Sequence, residues 1–291
     1  MSKEYVMTRV ALLGTGLLGT GFAEGFLARG SVDLSVWNRT RTKAAVLGDQ
    51  GARVADSPAD AVKGAERVHL ILLDDATVDE TIDAFRSALD SSAVICDHTT
   101  NLPRLTAERA KRLTAEGIAY LHCPVFMSPA AARNVQGMMM SAGPSELFDR
   151  VQEGLTSMTK ELWYVGERPD LAACYKLFGN AMILTMAAGI ADIFHMADAL
   201  DVDRKDAFGL FSRFKTEGIL PVRGAKILEK NYTASFALEV ARKDARLMLE
   251  SGDGEPLPVL KAIAARMDEL IAAGFGGKDM AVMAMRQGES P

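Results

Sequence analysis

Gly14-Thr15-Gly16-Leu17-Leu18-Gly19 follows the short apolar run Arg9–Leu13 and leads directly into a helical pattern, Phe22–Arg29. Each glycine of this G-x-G-x-x-G has its own task at a strand–loop–helix junction. Gly14 permits the tight turn, Gly16 lets the backbone approach a pyrophosphate, and Gly19 lets the helix pack on the strand. The unpaired N–H groups of the helix start, at Leu17 and Leu18, then face the phosphates. With 25 glycines in the chain the spacing alone is weak. The strand before it and the helix after it make it a dinucleotide fingerprint.

The next strand, Asp33–Trp37, ends at Asn38-Arg39-Thr40, with Arg41 following. A ribose 2′-hydroxyl calls for an Asp or Glu about 20 residues beyond the glycines. A guanidinium and two neutral hydrogen-bonding side chains stand there instead, which suits a 2′-phosphate. The expected cofactor is therefore NADP.

From this unit outward, strands and helices alternate. Helical patterns cover Thr42–Gln50, Pro58–Lys63 (with Ser57 as its cap), Val78–Ala88 and Arg104–Glu116. Strands are expected at Ala52–Val54, Val68–Leu73, Ala93–Cys96, Ala119–Leu121, Gly137–Ala142 and Leu162–Val165. The run Val68–Leu73 is nearly all apolar, as a strand buried on both faces of a parallel sheet should be. The alternation predicts an α/β doubly wound sheet. After Gly166 only helical patterns remain. A stretch from Asp170 to Leu200 would make one helix about 46 Å long, followed by Asp203–Phe214, Phe236–Glu250, Leu257–Ala273 and Asp279–Arg286. The expected domains are 1–165, a Rossmann-type NADP-binding unit, and 166–291, an all-α unit.

The chain has 291 residues, enough for two domains that bury their own cores. Its charges are near balance, 33 Lys and Arg against 38 Asp and Glu. That argues against a nucleic-acid or membrane-surface binder, both of which need a basic excess. Three scattered cysteines, Cys96, Cys123 and Cys174, form no disulfide framework and fit a reducing compartment. Met1–Thr8 shows no cleavage pattern, and the uncharged runs Val10–Ala23 and Leu177–Ala191 are short for a span. A cytoplasmic location is expected. No His, Cys, Asp or Glu cluster has metal-ligand spacing.

Lys176 and Asn180 lie four residues apart on the long helix and share a face. A lysine that loses water there can exchange a proton near neutral pH, and the amide can orient a substrate oxygen. By itself Lys176 reads better as a solvated helix lysine. Of the four histidines, His69 falls in a buried strand, His98 and His122 flank the expected cleft as candidate substrate contacts, and His195 is expected to pack on its helix. The methionines, Met138–Met140 among them, read as core filler.

Several motifs taken in order resemble the β-hydroxyacid dehydrogenase family, which includes 3-hydroxyisobutyrate and 6-phosphogluconate dehydrogenases and glyoxylate reductases. The resemblance covers essentially the whole chain. GTGLLGTGFA with Asn38-Arg39-Thr40 resembles the family's cofactor fingerprint, and Leu72-Leu73-Asp74-Asp75 its cofactor loop. Asp97-His98-Thr99-Thr100-Asn101-Leu102-Pro103 resembles its D-x-S-T-x-x-P stretch, which implies Thr100 near the nicotinamide. Lys176 and Asn180 match its K-x-x-x-N, implying that Lys176 is the acid/base. Lys243-Asp244 resembles its K-D pair, implying that Lys243 reaches the cofactor. The resemblance also implies an active site in a cleft between the domains, and a homodimer or homotetramer formed through the helical one.

Two departures bear on the substrate. The family's substrate loop typically reads D-A-P-V-S-G-G, and its Ser and Gly amides grip a carboxylate. Here the run is His122-Cys123-Pro124-Val125-Phe126-Met127-Ser128. Phe126 cannot donate a hydrogen bond, and a carboxylate left without partners there would lose several kcal/mol of solvation. Val125, Phe126, Met127 and Ser128 are thus expected to form an apolar substrate wall, with Ser128 or Arg133 as the remaining anion contacts. The second departure puts Asp170 and Ala172 where family members often carry glycines. The sequence expectation is an NADP-dependent dehydrogenase or reductase for a hydroxyacid or carbonyl substrate, with the short-hydroxyacid assignment weakened by the changed loop. The alternatives are an imine reductase, whose members commonly replace the lysine with Asp or Tyr, and a non-catalytic NADP-binding sensor.

Overall fold

A computed structural model describes residues 7–286, 288 and 289. Of the opening stretch Met1–Thr8, all but Met7 and Thr8 lies outside the described residues, as do Gln287, Ser290 and Pro291. The chain divides into two compact units, Met1–Asn180 and Ala181–Pro291.

The first unit is built in the order β1 (Thr8–Leu13), α1 (Leu17–Arg29), β2 (Val32–Trp37), α2 (Arg41–Gly48), β3 (Arg53–Val54), α3 (Pro58–Ala61), β4 (Arg67–Leu70), α4 (Asp75–Phe85), β5 (Val94–Asp97), α5 (Pro103–Ala115) and β6 (Ala119–His122). It continues through β7 (Val125–Phe126), α6 (Pro129–Arg133), β8 (Met138–Ala142), α7 (Ser145–Thr156) and β9 (Glu161–Gly166). The first six strands are parallel in the order β3-β2-β1-β4-β5-β6. This is the dinucleotide-binding Rossmann order, in which the strand order reverses beside β1 and opens a crevice at the carboxyl ends. β8 pairs antiparallel with β6 and β7, and β9 runs parallel to β8.

Both sheet faces are covered, which explains the unbroken apolar strands. Val10 and Leu12 pack with Phe22 and Phe26 of α1 on one face. Ala11 and Leu13 pack with Val78, Ile82 and Phe85 of α4 on the other. Ser57 caps α3 as expected, its hydroxyl accepting from Asp60 N at 3.0 Å. The expected strand Val68–Leu73 stops earlier, at Leu70. Leu72 and Leu73 leave the sheet because the chain must turn there to cap α4 with Asp74, whose Oδ1 accepts from Thr77 N at 2.9 Å. β7, α6 and α7 were not expected from the sequence; the first two are too short to show a period.

α8 (Leu171–Ala199) is the expected long helix, and the division between units falls inside it, beyond the expected boundary near residue 166. Its opening turns belong to the sheet unit because Ala172 and Ala173 are fully buried, Ala172 clustering with Met140 and Ala142. By length and composition α8 could cross a bilayer, with mean hydropathy 1.6 over its most apolar window. Charges are sparse enough to pass that test even though the strictly uncharged run is shorter. The second unit adds α9 (Arg204–Gly209), α10 (Ile219–Leu228), α11 (Leu238–Ser251) and α12 (Pro258–Leu270). Leu238, Ala241, Ala245, Ala264, Met267 and Val282 form its core. Among its described residues the one β contact is an isolated bridge, Ala237 to Asp279.

Candidate active site

A groove of about 740 Å³ opens at the carboxyl ends of β1, β2 and β4. It is lined by all eleven residues of this unit expected to bind a cofactor: Gly14, Gly16, Leu17, Leu18, Gly19, Asn38, Arg39, Thr40, Leu72, Leu73 and Thr100. Two glycines are required by geometry. Gly14 has φ +103°, and a Cβ on it would overlap the Ile71 carbonyl. A Cβ on Gly19 would overlap the Gly14 carbonyl, so this glycine lets α1 start against the turn. Gly16 differs, because a Cβ there would meet only open space. Its backbone thus faces a free volume. Gly16 caps α1 without a side-chain bond, and the first turn carries no acid. The exposed N–H groups of this turn and its positive dipole end fit a pyrophosphate.

At the groove's second end, Asn38 supports the loop. Its Oδ1 accepts from Thr15 N at 3.0 Å and its Nδ2 donates to Thr40 O at 3.0 Å, tying the glycine turn to the β2–α2 turn. Arg39 is exposed and makes no ion pair among the described residues. Arg41 is instead paired with Asp56. Lys43 also lines the groove and was missed by the sequence reading. A signal was available, since the first turn of α2 carries Arg41 and Lys43 and no acid. That is the reverse of what a helix dipole favours, unless an anion binds there. A further missed wall comes from α4, where Thr77, Glu80, Thr81 and Ala84 face the groove. Glu80 is the lining's carboxylate, against Arg39 and Lys43.

The floor beside β5 is rigid. Thr99 Oγ1 accepts from Leu72 N at 3.0 Å, while Thr100 is exposed to the groove. His98 lines the groove too, but both ring nitrogens are engaged. Nδ1 donates to Cys123 O at 2.7 Å, and Nε2 lies 2.8 Å from His69 Nδ1, which leaves it the acceptor of that pair. Burial holds the His98 imidazole down at about 4, so it stays neutral. His122 is fully buried with Nε2 bonded to Thr99 O at 3.0 Å. His69 is the core residue the sequence suggested. His195, in the second unit, bonds Glu255 at 3.1 Å and is partly exposed rather than packed.

Two residues beyond Cys123, the Val125 carbonyl accepts from Lys176 Nζ at 2.7 Å. The same ammonium sits 4.1 Å from the centre of the Phe126 ring. Lys176 is half-buried, and loss of water lowers its pKa from the usual lysine value. Asn180, one turn on, is half-buried with no protein partner among the described residues. Hydrogen bonds and three residues of chain therefore connect the groove to the lysine, running through His98, Cys123, Pro124 and Val125.

The remaining expected residues are placed as follows. Val125 is buried in β7. Met127 packs onto the sheet core. Ser128 caps α6, its hydroxyl accepting from Ala131 N at 3.1 Å. Arg133 donates to Glu24 at 2.6 Å. Of the two anion contacts considered for the substrate, Arg133 is thus paired with a carboxylate, while Ser128 accepts in its cap and keeps its hydroxyl proton to donate. Lys243 lies on α11 in the second unit, ion-paired with Asp244 at 2.5 Å.

Comparison with known proteins agrees with this geometry. The family described as the NAD binding domain of 6-phosphogluconate dehydrogenase matches residues 9–166, more than half of the chain. The chain is 26% identical to the uncharacterized oxidoreductase YfjR of Bacillus subtilis, over 94% of this chain and 98% of that one. It is 25% identical to the chloroplastic glyoxylate/succinic semialdehyde reductase 2 of Arabidopsis thaliana, over 93% and 76%. The solved structure of an imine reductase from Myxococcus stipitatus with NADP+ shares the fold, with a TM-score of 0.84 and 22% identity over 94% and 98% of the chains. This chain belongs to the family of the NAD binding domain of 6-phosphogluconate dehydrogenase, and it is an oxidoreductase.

Proposed function

We propose that the protein is an NADP-dependent reductase of carbonyl compounds in which Lys176 delivers the proton. The reading is carried by one observation, a phosphate-ready groove and a half-buried lysine in the same unit, joined through His98 and the 123–125 turn. NADP(H), bound in the groove, supplies the hydride. The first turn of α1 holds the pyrophosphate, and Arg39 with Lys43 holds the 2′-phosphate. In reduction the Lys176 ammonium protonates the forming alkoxide, and the Asn180 amide holds the same oxygen. In oxidation the neutral amine takes the hydroxyl proton.

The substrate follows from what segment 125–133 lacks. Arg133 is paired with Glu24, and the side chains of Phe126 and Met127 offer no donor. The Ser128 hydroxyl proton is the side-chain donor this segment keeps, which supports a mainly apolar substrate over one held by a short carboxylate handle. Covering ~60 Å² of substrate carbon adds about 1.5 kcal/mol, roughly tenfold in kcat/KM. Larger or more apolar aldehydes and ketones are therefore expected to outperform glyoxylate, and 3-hydroxyisobutyrate in the reverse direction. The same apolar segment favours a second reading, an imine reductase. The test is NADPH consumption against aldehydes, ketones, keto acids and cyclic imines, with NADH run in parallel. NADPH should be preferred by about tenfold or more, roughly 1.4 kcal/mol of binding, and Arg39→Ala should weaken NADPH alone. Efficient turnover of a short hydroxyacid would show that the substrate argument is wrong. Turnover of imines alone passes to the second reading, and binding without any turnover to a sensor.

The second unit leaves Leu184, Leu220, Val222 and Leu228 more than half exposed. Apolar faces of this kind support a homodimer or homotetramer. Light scattering should give a multiple of the 31.3 kDa chain mass, and the chain mass alone would overturn it.

A further inference from the structure

The contact between Lys176 and Phe126 is specific to this chain's departure from the usual substrate loop. Phe126 stands where a Ser is common, and its ring is turned toward α8 rather than left as a free wall. A Cβ on Gly179 would come within 2.7 Å of Phe126 Cε1 and closer still to the ring tip. The missing side chain on α8 is therefore what admits the ring. The ring joins Met138, Met140, Ala142, Ala172 and Tyr175 in an apolar cluster. The Lys176 ammonium then has two partners, the Val125 carbonyl at 2.7 Å and the Phe126 ring at 4.1 Å.

We propose that Phe126 is a positioning residue that keeps Lys176 in its ammonium form and aims it, with Gly179 as the socket that makes the contact possible. The proposal rests on the proton-donor role given to Lys176 above. A positive charge over an aromatic face is attracted by the ring's quadrupole, most strongly where water is excluded. Burial works against the charge, and here no carboxylate offsets it. Among the described residues Lys176 makes no ion pair. β7, Val-Phe, and β8, Met-Met-Met-Ser-Ala, carry no titratable side chain. β9 brings Glu161 and Tyr164, the end of β6 brings His122, and the β6–β7 turn brings Cys123. On α8 itself stand Cys174 and Tyr175, the latter stacked on Trp163, with Asp170 just before the helix and paired with Arg168. The ring is thus what replaces the missing counter-charge. A lysine held this way is set up to give a proton, which favours the reducing direction.

The sign is fixed by the chemistry. The ring stabilises the charged form, so removing it lowers the lysine's titration point. Phe126→Leu keeps apolar volume and removes the π face. Titration of Lys176 by NMR in lysine-labelled protein, assigned by loss of its signal in Lys176→Met, should move down by about one pH unit. The alkaline fall in kcat for carbonyl reduction should move down with it. Phe126→Trp should restore both, because it restores the π face. Gly179→Ala should reproduce the Leu variant by displacing the ring, and it supplies the reading if Phe126→Leu does not fold. An unchanged titration in Phe126→Leu or Gly179→Ala would overturn the proposal, as would a Trp variant that titrates like Leu. The NMR arm separates the two claims. If Lys176→Ala keeps its turnover, the donor role falls, while the titration still decides whether Phe126 holds the charge.

Discussion

Lys176→Ala is expected to lower kcat by about 10²–10⁴-fold, the range for removal of a positioned general acid, if Lys176 is the proton donor proposed above, and to leave NADPH affinity little changed. The split follows from geometry. Lys176 does not line the dinucleotide groove, and its ammonium contacts are the Val125 carbonyl and the Phe126 ring. Ground-state cofactor contacts therefore survive its loss. A proton delivered only as the alkoxide forms is a transition-state interaction, so kcat and kcat/KM should fall together. Lys176→Met separates chemistry from packing, because it keeps an unbranched apolar stem beside Phe126 without a proton to give. If both variants retain near-normal turnover on a substrate identified by the panel, another group carries the proton.

The glycine turn and the β2–α2 side of the groove were legible in the sequence, and the reason is local. A glycine fingerprint and a turn after the second strand are each set by residues close together in the chain, as is the K-x-x-x-N outside the groove. The α4 wall was not legible. Thr77, Glu80, Thr81 and Ala84 recur at helical spacing beside the buried Val78, Ile82 and Phe85, so in sequence they read as the polar flank of an ordinary amphipathic helix. Phe126 read as a free wall because nothing in the line of the chain connects it to Gly179, 53 residues on. Arg133 looked free for an anion for the same reason, since its ion pair to Glu24 appears only once α6 is folded against α1. The short β7 and α6 lie below the length at which periodicity carries information.

Arg109→Met is expected to be the most destabilising single change, by about 3–5 kcal/mol, because it strands a buried carboxylate. The Arg109 side chain is fully buried on α5. Its Nε donates to Asp79 at 2.8 Å and one terminal nitrogen to Asp75 at 2.9 Å, while the other lies 3.8 Å from Asp97. Burial alone would lower its pKa, but Asp79, Tyr120 and Asp97 outweigh it and the net shift is upward. Asp79, more than a third exposed, can turn to water when the guanidinium goes, and Asp75 keeps the Leu102 N–H as a donor. Asp97 cannot, being fully buried at the end of β5. It accepts from Tyr120 at 2.8 Å, Asn101 at 2.7 Å and Thr99 N at 3.0 Å, which holds the 98–101 loop on the groove floor. The damage should therefore reach the cofactor as well as the melting temperature. At roughly 2–4 °C per kcal/mol for a chain of this size, the fall is on the order of 10 °C, with weakened NADPH binding. Arg112→Ala is the control. Its partners Asp79 and Asp83 are over a third exposed, so it should cost about 1 kcal/mol or less. Adding Asp97→Asn to Arg109→Met should recover part of the loss, since the charge needing a partner is gone. A fall in melting temperature for Arg109→Met no larger than that for Arg112→Ala would show that Asp97 does not depend on Arg109.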